Sequence, residues 1–504
     1  MKQKLPPDLN RKAWLYASLI VLMMLLLGAG AFLLLTHEWP EPLHVPQASA
    51  ELSATAQGLD DVRVIAALDP DARTLTFTQE MTLTNRTGQD QSAVVLRSWS
   101  GAYLQEETSP CASEELYYDC YGAAFSPGGL SVVSAALGGE PAEWTWLDTA
   151  STVLSVPAQW PADATVTLTL ECTVVIPECA GRFGYADGVF MLGNVFPVAA
   201  VWQDGVWRTD AYAAIGDPFM SECANWQVSL SVPEDYVAAA SCHGVRGKDG
   251  VYAFEGLALR DFALLVSRDF TCVQGMAEGV LITAYARSKT DAELMLRYAA
   301  QAMTSYAKRW GAYAYPTFTL SEAVFPYGGM EYPGLVMIGS DVLQSGGQVL
   351  EYTVAHETAH QWWAVMVGSD GWFDPWQDEA LCEYAWLDYV GDWYGPADRS
   401  QMAFDRVETA MRITIPGGVT PGSPIDYFSD LTQYSRIVYQ RGAAFWCAME
   451  LHLGKDGLDA MLRDYQASFR FRNATRAELT ALISRHAGMD MSGLMLDYLD
   501  TLMR

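Results

Sequence analysis

The chain reads as a multidomain α+β protein in which a membrane-spanning helix leads into an all-β domain and then into a mixed α/β domain. Three observations predict this: an uncharged apolar run over residues 13–35, alternation of apolar and polar residues broken by turn signals through residues 55–272, and a change to helical period with short strands from residue 273 onward. At 504 residues, half of them hydrophobic and 12% aromatic, the chain can bury two or three large cores.

The run Ala13 to Leu35 is 23 residues long, enough to cross a bilayer once. Lys2, Lys4, Arg11 and Lys12 precede it and Glu38 and Glu41 follow, so residues 1–12 are expected in the cytoplasm and everything after the span outside. The apolar stretch exceeds the usual core of a cleaved signal peptide, which favours an uncleaved anchor in the cell membrane. Residues 36–54, with Trp39-Pro-Glu-Pro-Leu-His-Val-Pro46, read as a tether.

Strands are expected at Val62-Arg-Val-Ile65 and Thr74 to Thr84 with Asp69-Pro-Asp71 between them, a hairpin, and similar signals persist to Phe262-Ala-Leu-Leu-Val266. From 273 to 504 the pattern alternates. Val280 to Tyr285 is a strand, Thr290 with Glu293 three residues on caps a helix through Trp310, and Thr317 to Leu320 is another strand. Nine cysteines, seven of them between Cys111 and Cys272, predict some disulfide pairing in a translocated chain; Cys111 with Cys120 and Cys172 with Cys179 are the nearest neighbours. Asn85-Arg-Thr87 and Asn473-Ala-Thr475 are glycosylation tripeptides.

Charge narrows the partners. Thirty-one basic against 60 acidic residues give a net charge of −29, which repels nucleic acid and suits neutral or cationic peptides.

The chemistry is concentrated in His356-Glu357-Thr358-Ala359-His360 followed, after eighteen residues, by Glu379. On a helix His356 and His360 stand one turn apart on one face, so both imidazoles can reach one tetrahedral Zn²⁺. Glu357 is placed to take a proton from water activated by that ion, and Glu379, on a second helix opening near Trp376, completes the ligand set. The apolar flanks Val354, Ala355, Trp362, Trp363 and Met366 make the first helix a buried one. A buried helix does not carry two histidines and a glutamate without partners for them. One Zn²⁺ per chain is the cofactor expected.

These motifs resemble those of the aminopeptidase N family of zinc metallopeptidases, gluzincins whose third ligand is a glutamate one helix downstream. Val354 to Trp363 is similar to the family's zinc helix and Trp376 to Tyr384 to its third-ligand helix. Gly328-Gly-Met-Glu-Tyr-Pro-Gly334 resembles the exopeptidase motif, Tyr434 to Ala443 the segment with the catalytic tyrosine, and Gly216 to Ser221 with Trp226 to Pro233 the signature strands of the first domain. The resemblance implies a saddle-like β domain followed by a thermolysin-like catalytic domain with closing helices. Larger members carry a further helical domain that caps the zinc cleft, and a short member without it is expected here, with a more open site or one closed by a partner chain.

The resemblance assigns Tyr439 as the donor to the oxyanion, with Tyr434 its internal competitor, and Gly328, Gly329, Met330 and Glu331 as substrate-binding, Glu331 facing the free α-amine. The two glycines let backbone approach an extended peptide as an edge strand. Two positions depart from the family: Tyr332 replaces the motif's asparagine, and Leu192-Gly-Asn-Val-Phe-Pro197 has no acid to help hold the amine, with Asn194 a polar substitute. The expected activity is peptide hydrolysis, foremost release of N-terminal residues from extracytoplasmic peptides. The alternatives are a zinc endopeptidase or other hydrolase with loose N-terminus recognition, and a catalytically silent peptide-binding ectodomain.

Overall fold

The computed structural model describes residues 44–413 and 417–501. The expected anchor at residues 13–35 lies outside the described residues, and among the described residues no helix is long and apolar enough to cross a membrane.

The first domain is built on an eight-stranded sheet. Asp60–Asp69 pairs antiparallel with Thr74–Thr84, the hairpin the alternation predicts, and parallel with Ala224–Ser231; Thr165–Val175 continues the sheet on the other side. Alternation has the consequence it should: Val62, Val64, Ala66 and Leu68 are buried together with Leu75, Phe77, Met81 and Leu83, and with Gln79, whose amide donates to the Pro197 carbonyl, while the alternate residues face out. A smaller sheet runs Val237–Ala240, Leu264–Ser267, Val189–Leu192, Phe183–Ala186. Its strand Leu264–Ser267 is buried throughout, because one side meets the first domain's core and the other meets the second domain. Val189, Met191 and Leu265 pack there in one cluster with Met330, Tyr332, Leu335 and Met337.

The second domain carries a five-stranded mixed sheet, Thr271–Ala277, Val280–Ala286, Thr317–Ala323, Leu335–Gly339 and Gly329–Tyr332. The inner pairs are parallel and both edge strands antiparallel. Its first strand therefore opens at Thr271, just inside the stretch read as the β domain. Helix Lys289–Trp310 packs on the sheet, and its cap is Ser288, whose hydroxyl accepts from the Asp291 amide; this corrects the expectation of Thr290. Thr290 lies inside the first turn, and Glu293 reaches back to Lys289 at 3.5 Å instead of closing a capping box.

Two further expectations change. The tether contains a helix, Ala50–Ala56, capped by Ser49 and anchored by buried Leu52. No disulfide is formed among the described residues. Cys172 sits within strand Thr165–Val175, whereas Cys179 lies beside Cys111 and Cys120. Both glycosylation tripeptides have occupied amides: Asn85 is fully buried and donates to the carbonyls of Trp160 and Gln89, and Asn473 accepts from Arg260.

Candidate active site

Helix Gly347–Ala359 delivers His356 and Glu357, and His360 follows as its C-terminal cap, its amide still bonded to the His356 carbonyl. An aromatic cluster fixes this end. Trp363 packs edge-on against Trp310 and stacks on Tyr465, and the Trp362 indole donates to the Gly311 carbonyl. Helix Trp376–Trp393 presents Glu379 from its first turn.

Three donor atoms converge between these helices. His356 Nε2 and His360 Nε2 are 3.1 Å apart, and each is 3.2 Å from Glu379 Oε2. Donors bound to a tetrahedral Zn²⁺ at ~2.0–2.1 Å lie about 3.3 Å from one another, so the triangle has the size such an ion requires. The tautomer agrees. His360 Nδ1 is 3.0 Å from the Trp363 carbonyl, which only accepts, so Nδ1 carries the proton and Nε2 turns its lone pair inward. Against the cost of burial, the charge of His360 in its protonated form and hydrogen bonds from both histidines hold Glu379 down to about 2; a cation that takes the two Nε2 lone pairs would replace that proton's charge, so Glu379 is in either state the anion a ligand must be. These residues fit zinc.

Glu357 is buried beside the triangle, with Oε2 unpartnered. Burial, with Glu379 and Asp217 adding to it and His360 opposing, pushes its carboxyl up to about 8. Glu331 closes in from the edge strand Gly329–Tyr332 of the same domain, so that ligand atoms of Glu331, Glu357 and His360 all lie within 4.8 Å of one another. Burial, with Asp217 adding to it, raises the Glu331 carboxyl well above the ordinary range.

The edge strand Gly329–Tyr332 explains the glycine before Met330. A Cβ at Gly329 would stand 2.1 Å from Glu357 Oε1, so this residue makes room for the carboxylate itself. Gly328 holds a left-handed φ of 82°. Both glycines and Glu331 border the cleft that contains the imidazoles; Met330 alternates to the other face, where its sulfur accepts from Arg182 Nε at 3.1 Å.

Tyr439 stacks on His356 with ring centroids 5.4 Å apart, and its hydroxyl donates to Glu379 Oε1 at 2.5 Å. Burial, then Glu379, pushes its phenol well above 10, so it stays protonated. Tyr434 also borders the cleft, edge-on to Tyr439, with its hydroxyl against Gly216.

Two residues of the cleft were not singled out from the sequence. Arg182, almost completely buried, pairs with Asp217 at 2.5 Å, and both line the space facing Glu331 and the histidines. Asp217 belongs to the Gly216 to Ser221 segment, which carried a family likeness but no role. The departures Tyr332 and Asn194 are joined: Tyr332 Oη donates to Asn194 Oδ1 at 2.8 Å, and Asn194 Nδ2 to Asp261 at 2.7 Å. In the same stretch Phe196 is fully buried edge-on against Phe77.

Residues 295–498 match the peptidase family M1 domain. Among curated proteins, aminopeptidase N of Bos taurus is 26% identical over 338 residues, covering 59% of this chain and 34% of that protein. Leukotriene A-4 hydrolase of Xenopus laevis is 28% identical over 194 residues, 37% of this chain and 31% of that one. The chain thus spans about a third of the length of these curated relatives. An M1 zinc metallopeptidase from Deinococcus radiodurans shares the fold, with a TM-score of 0.63 at 16% identity over 87% of this chain and 92% of that one. A mutant of that enzyme bound to a Tyr-Ser-Ala substrate aligns at 0.62 and 17% identity over 89% and 96%. Residues 295–498 thus match the peptidase family M1 domain, and the chain is similar in sequence to aminopeptidase N and in fold to an M1 zinc metallopeptidase.

Proposed function

We propose that this protein is a zinc metallopeptidase that releases N-terminal residues from peptides, held at the outer face of a membrane by residues 13–35. The observation that carries the reading is the convergence of Glu331, Glu357 and His360 within 4.8 Å beside the His356, His360 and Glu379 triangle. It puts a base and a carboxylate for an ammonium group on the same few ångströms of cleft.

Zinc at the triangle supplies Lewis acidity to water and to the scissile carbonyl. With a divalent cation at the triangle to offset the burial that raises its carboxyl, Glu357, with one oxygen unpartnered, would accept the proton of the attacking water and return it to the departing amine. Glu331 faces the substrate's α-ammonium, whose positive charge draws the carboxyl that burial had raised back to its anion, so that a charge-assisted contact sets the chain end one residue from the cut. Tyr439, protonated and lining the same cleft, would turn its hydroxyl from Glu379 Oε1 to the carbonyl oxygen as charge builds on it. The edge strand Gly329–Tyr332 offers backbone pairing to an extended peptide.

The support for membrane anchoring is the apolar run with basic residues before it and acidic residues after it. The Deinococcus relative with a bound tripeptide supports a peptide as substrate. An endopeptidase is the second reading, favoured by one observation: the Asn194 amide is engaged by Tyr332 and Asp261, which leaves Glu331 without a partner acid from that stretch.

Side-by-side assay of free and N-acetylated peptides, with Glu357→Gln as control, tests the reading. Cleavage confined to free amines and abolished by the substitution is expected. Equal rates on both substrates would transfer the chain to the endopeptidase reading, and undiminished turnover in Glu357→Gln would remove the catalytic assignment.

A further inference from the structure

Outside the cleft, Cys111, Cys120 and Cys179 bring their three Sγ atoms within 4.8 Å of one another, all buried. They come from separate segments: the turn Pro110–Ala112, the short helix Tyr117–Tyr121, and the loop before strand Phe183–Ala186. We propose that these three thiols form a second metal site, which holds one thiophilic closed-shell cation, Zn²⁺ or Cu⁺, as a structural clamp beside the cleft.

Sulfur donors select such ions, and three sulfurs drawn to one point are a ligand set rather than a pair. A disulfide would use two and leave the third pressed against the bond. The surroundings are shaped to the sulfurs. A Cβ on Gly181 would stand 2.9 Å from Cys111 Sγ and 3.2 Å from Cys179 Sγ, so the backbone closes over them where only glycine fits without displacement. The phenols of Tyr327 and Tyr103 lie 3.5 and 3.7 Å from Cys111 Sγ, and burial keeps both protonated, so each can donate to a sulfur that carries charge. A surface recess lined by Cys120, Cys179, Tyr121, Phe125 and Glu178 gives the ion a way in.

Simple packing of three small apolar side chains accounts for burial but not for convergence. Binding exchanges three S–H protons for one cation, so occupancy falls as the medium is acidified. The clamp has a target: Arg182 follows Cys179 by three residues, lies 4.3 Å over the Tyr327 ring, and pairs with Asp217 in the cleft.

Elemental analysis of the full-length protein, purified without oxygen and then exposed to zinc chloride or to Cu⁺ against a competing chelator, tests the site. Two equivalents of metal are expected in the wild type, one in Cys179→Ser or Cys120→Ser, and one in His356→Ala/His360→Ala. The last variant separates this site from the peptidase reading, because it empties the catalytic triangle and leaves the cysteines intact. Where the cysteine variants do not fold, Co²⁺ substitution of the double-histidine variant gives the same answer through a thiolate-to-metal charge-transfer band. A single equivalent in the wild type that vanishes with the histidines overturns the proposal. So does alkylation under denaturing conditions that finds two of the three sulfurs joined as a disulfide in protein prepared without oxygen.

Discussion

Tyr332 and Asn194, 138 positions apart, are hydrogen-bonded at 2.8 Å across the junction of the two domains. Both stand where the chain departs from the aminopeptidase N pattern that its motifs resemble, and the pairing gives a reason for the two departures to occur together. Asn194 adopts a left-handed φ of 52°, and a Cβ on its neighbour Gly193 would meet the Tyr332 hydroxyl at 2.1 Å. The loop is therefore shaped around the phenol, and the Asn194 amide holds the domains together rather than reaching for a substrate amine.

Asp261 ends this chain of hydrogen bonds and makes its strength depend on pH. Burial, relieved in part by the Phe262 amide and Asn194, pushes its carboxyl up to about 7 from 3.8. An acid whose folded pKa exceeds its unfolded one binds more protons in the native state, so stability is fullest below about pH 4 and falls as pH rises towards 7. A shift of about three units corresponds to roughly 4 kcal/mol. Asp261→Asn should flatten the pH dependence of urea unfolding across that window. An unchanged slope would place the titration elsewhere.

What could be read in advance follows the range of the interactions. The metal triangle was legible because His356 and His360 are one turn apart and Glu379 opens the next helix, and the β domain because alternation is local. The Ser288 cap was misread by two residues because Thr290 and Glu293 mimic a capping box; only backbone dihedrals decide where the first turn begins. Arg182 with Asp217, Tyr332 with Asn194, and the three sulfurs around Gly181 each join segments far apart in the chain. No periodicity reports such encounters.

Gly329→Ala tests whether the base depends on the edge strand. The added methyl would stand 2.1 Å from Glu357 Oε1 and must displace either the carboxylate or the strand. Displacement of a catalytic group by about 1 Å costs about 10²-fold in rate. We expect kcat to fall by that order with zinc content unchanged, since no ligand is touched. Full activity would mean that the strand yields without cost and Glu357 is held by other contacts.

Tyr439→Phe removes the hydroxyl on Glu379 Oε1 and keeps the ring on His356. A donor needed only as charge develops affects turnover and not ground-state binding, so kcat should drop by about 10²–10³ with KM nearly constant. An unchanged kcat would pass the role to Tyr434, which borders the same cleft.

Asp388, fully buried on helix Trp376–Trp393, gathers Lys455 at 2.7 Å, Arg399 at 3.2 Å and Arg309 at 3.9 Å from three other helices or their flanks. Those cations have further partners: Lys455 and Arg309 reach Asp459, Arg309 also Asp392, and Arg399 also Glu450. Breaking a buried pair costs about 3–5 kcal/mol because the surviving charge keeps its desolvation penalty. Here the cations are 17–28% exposed and shared, so Asp388→Asn should cost about 3 kcal/mol, the low end. The helix carries Glu379 two and a half turns earlier, so turnover at permissive temperature should persist while the unfolding midpoint drops. Adding Lys455→Met to Asp388→Asn should recover part of the loss by removing the most directly stranded cation. A single substitution that leaves the midpoint unmoved would show that Asp459, Asp392 and Glu450 hold the cations without Asp388.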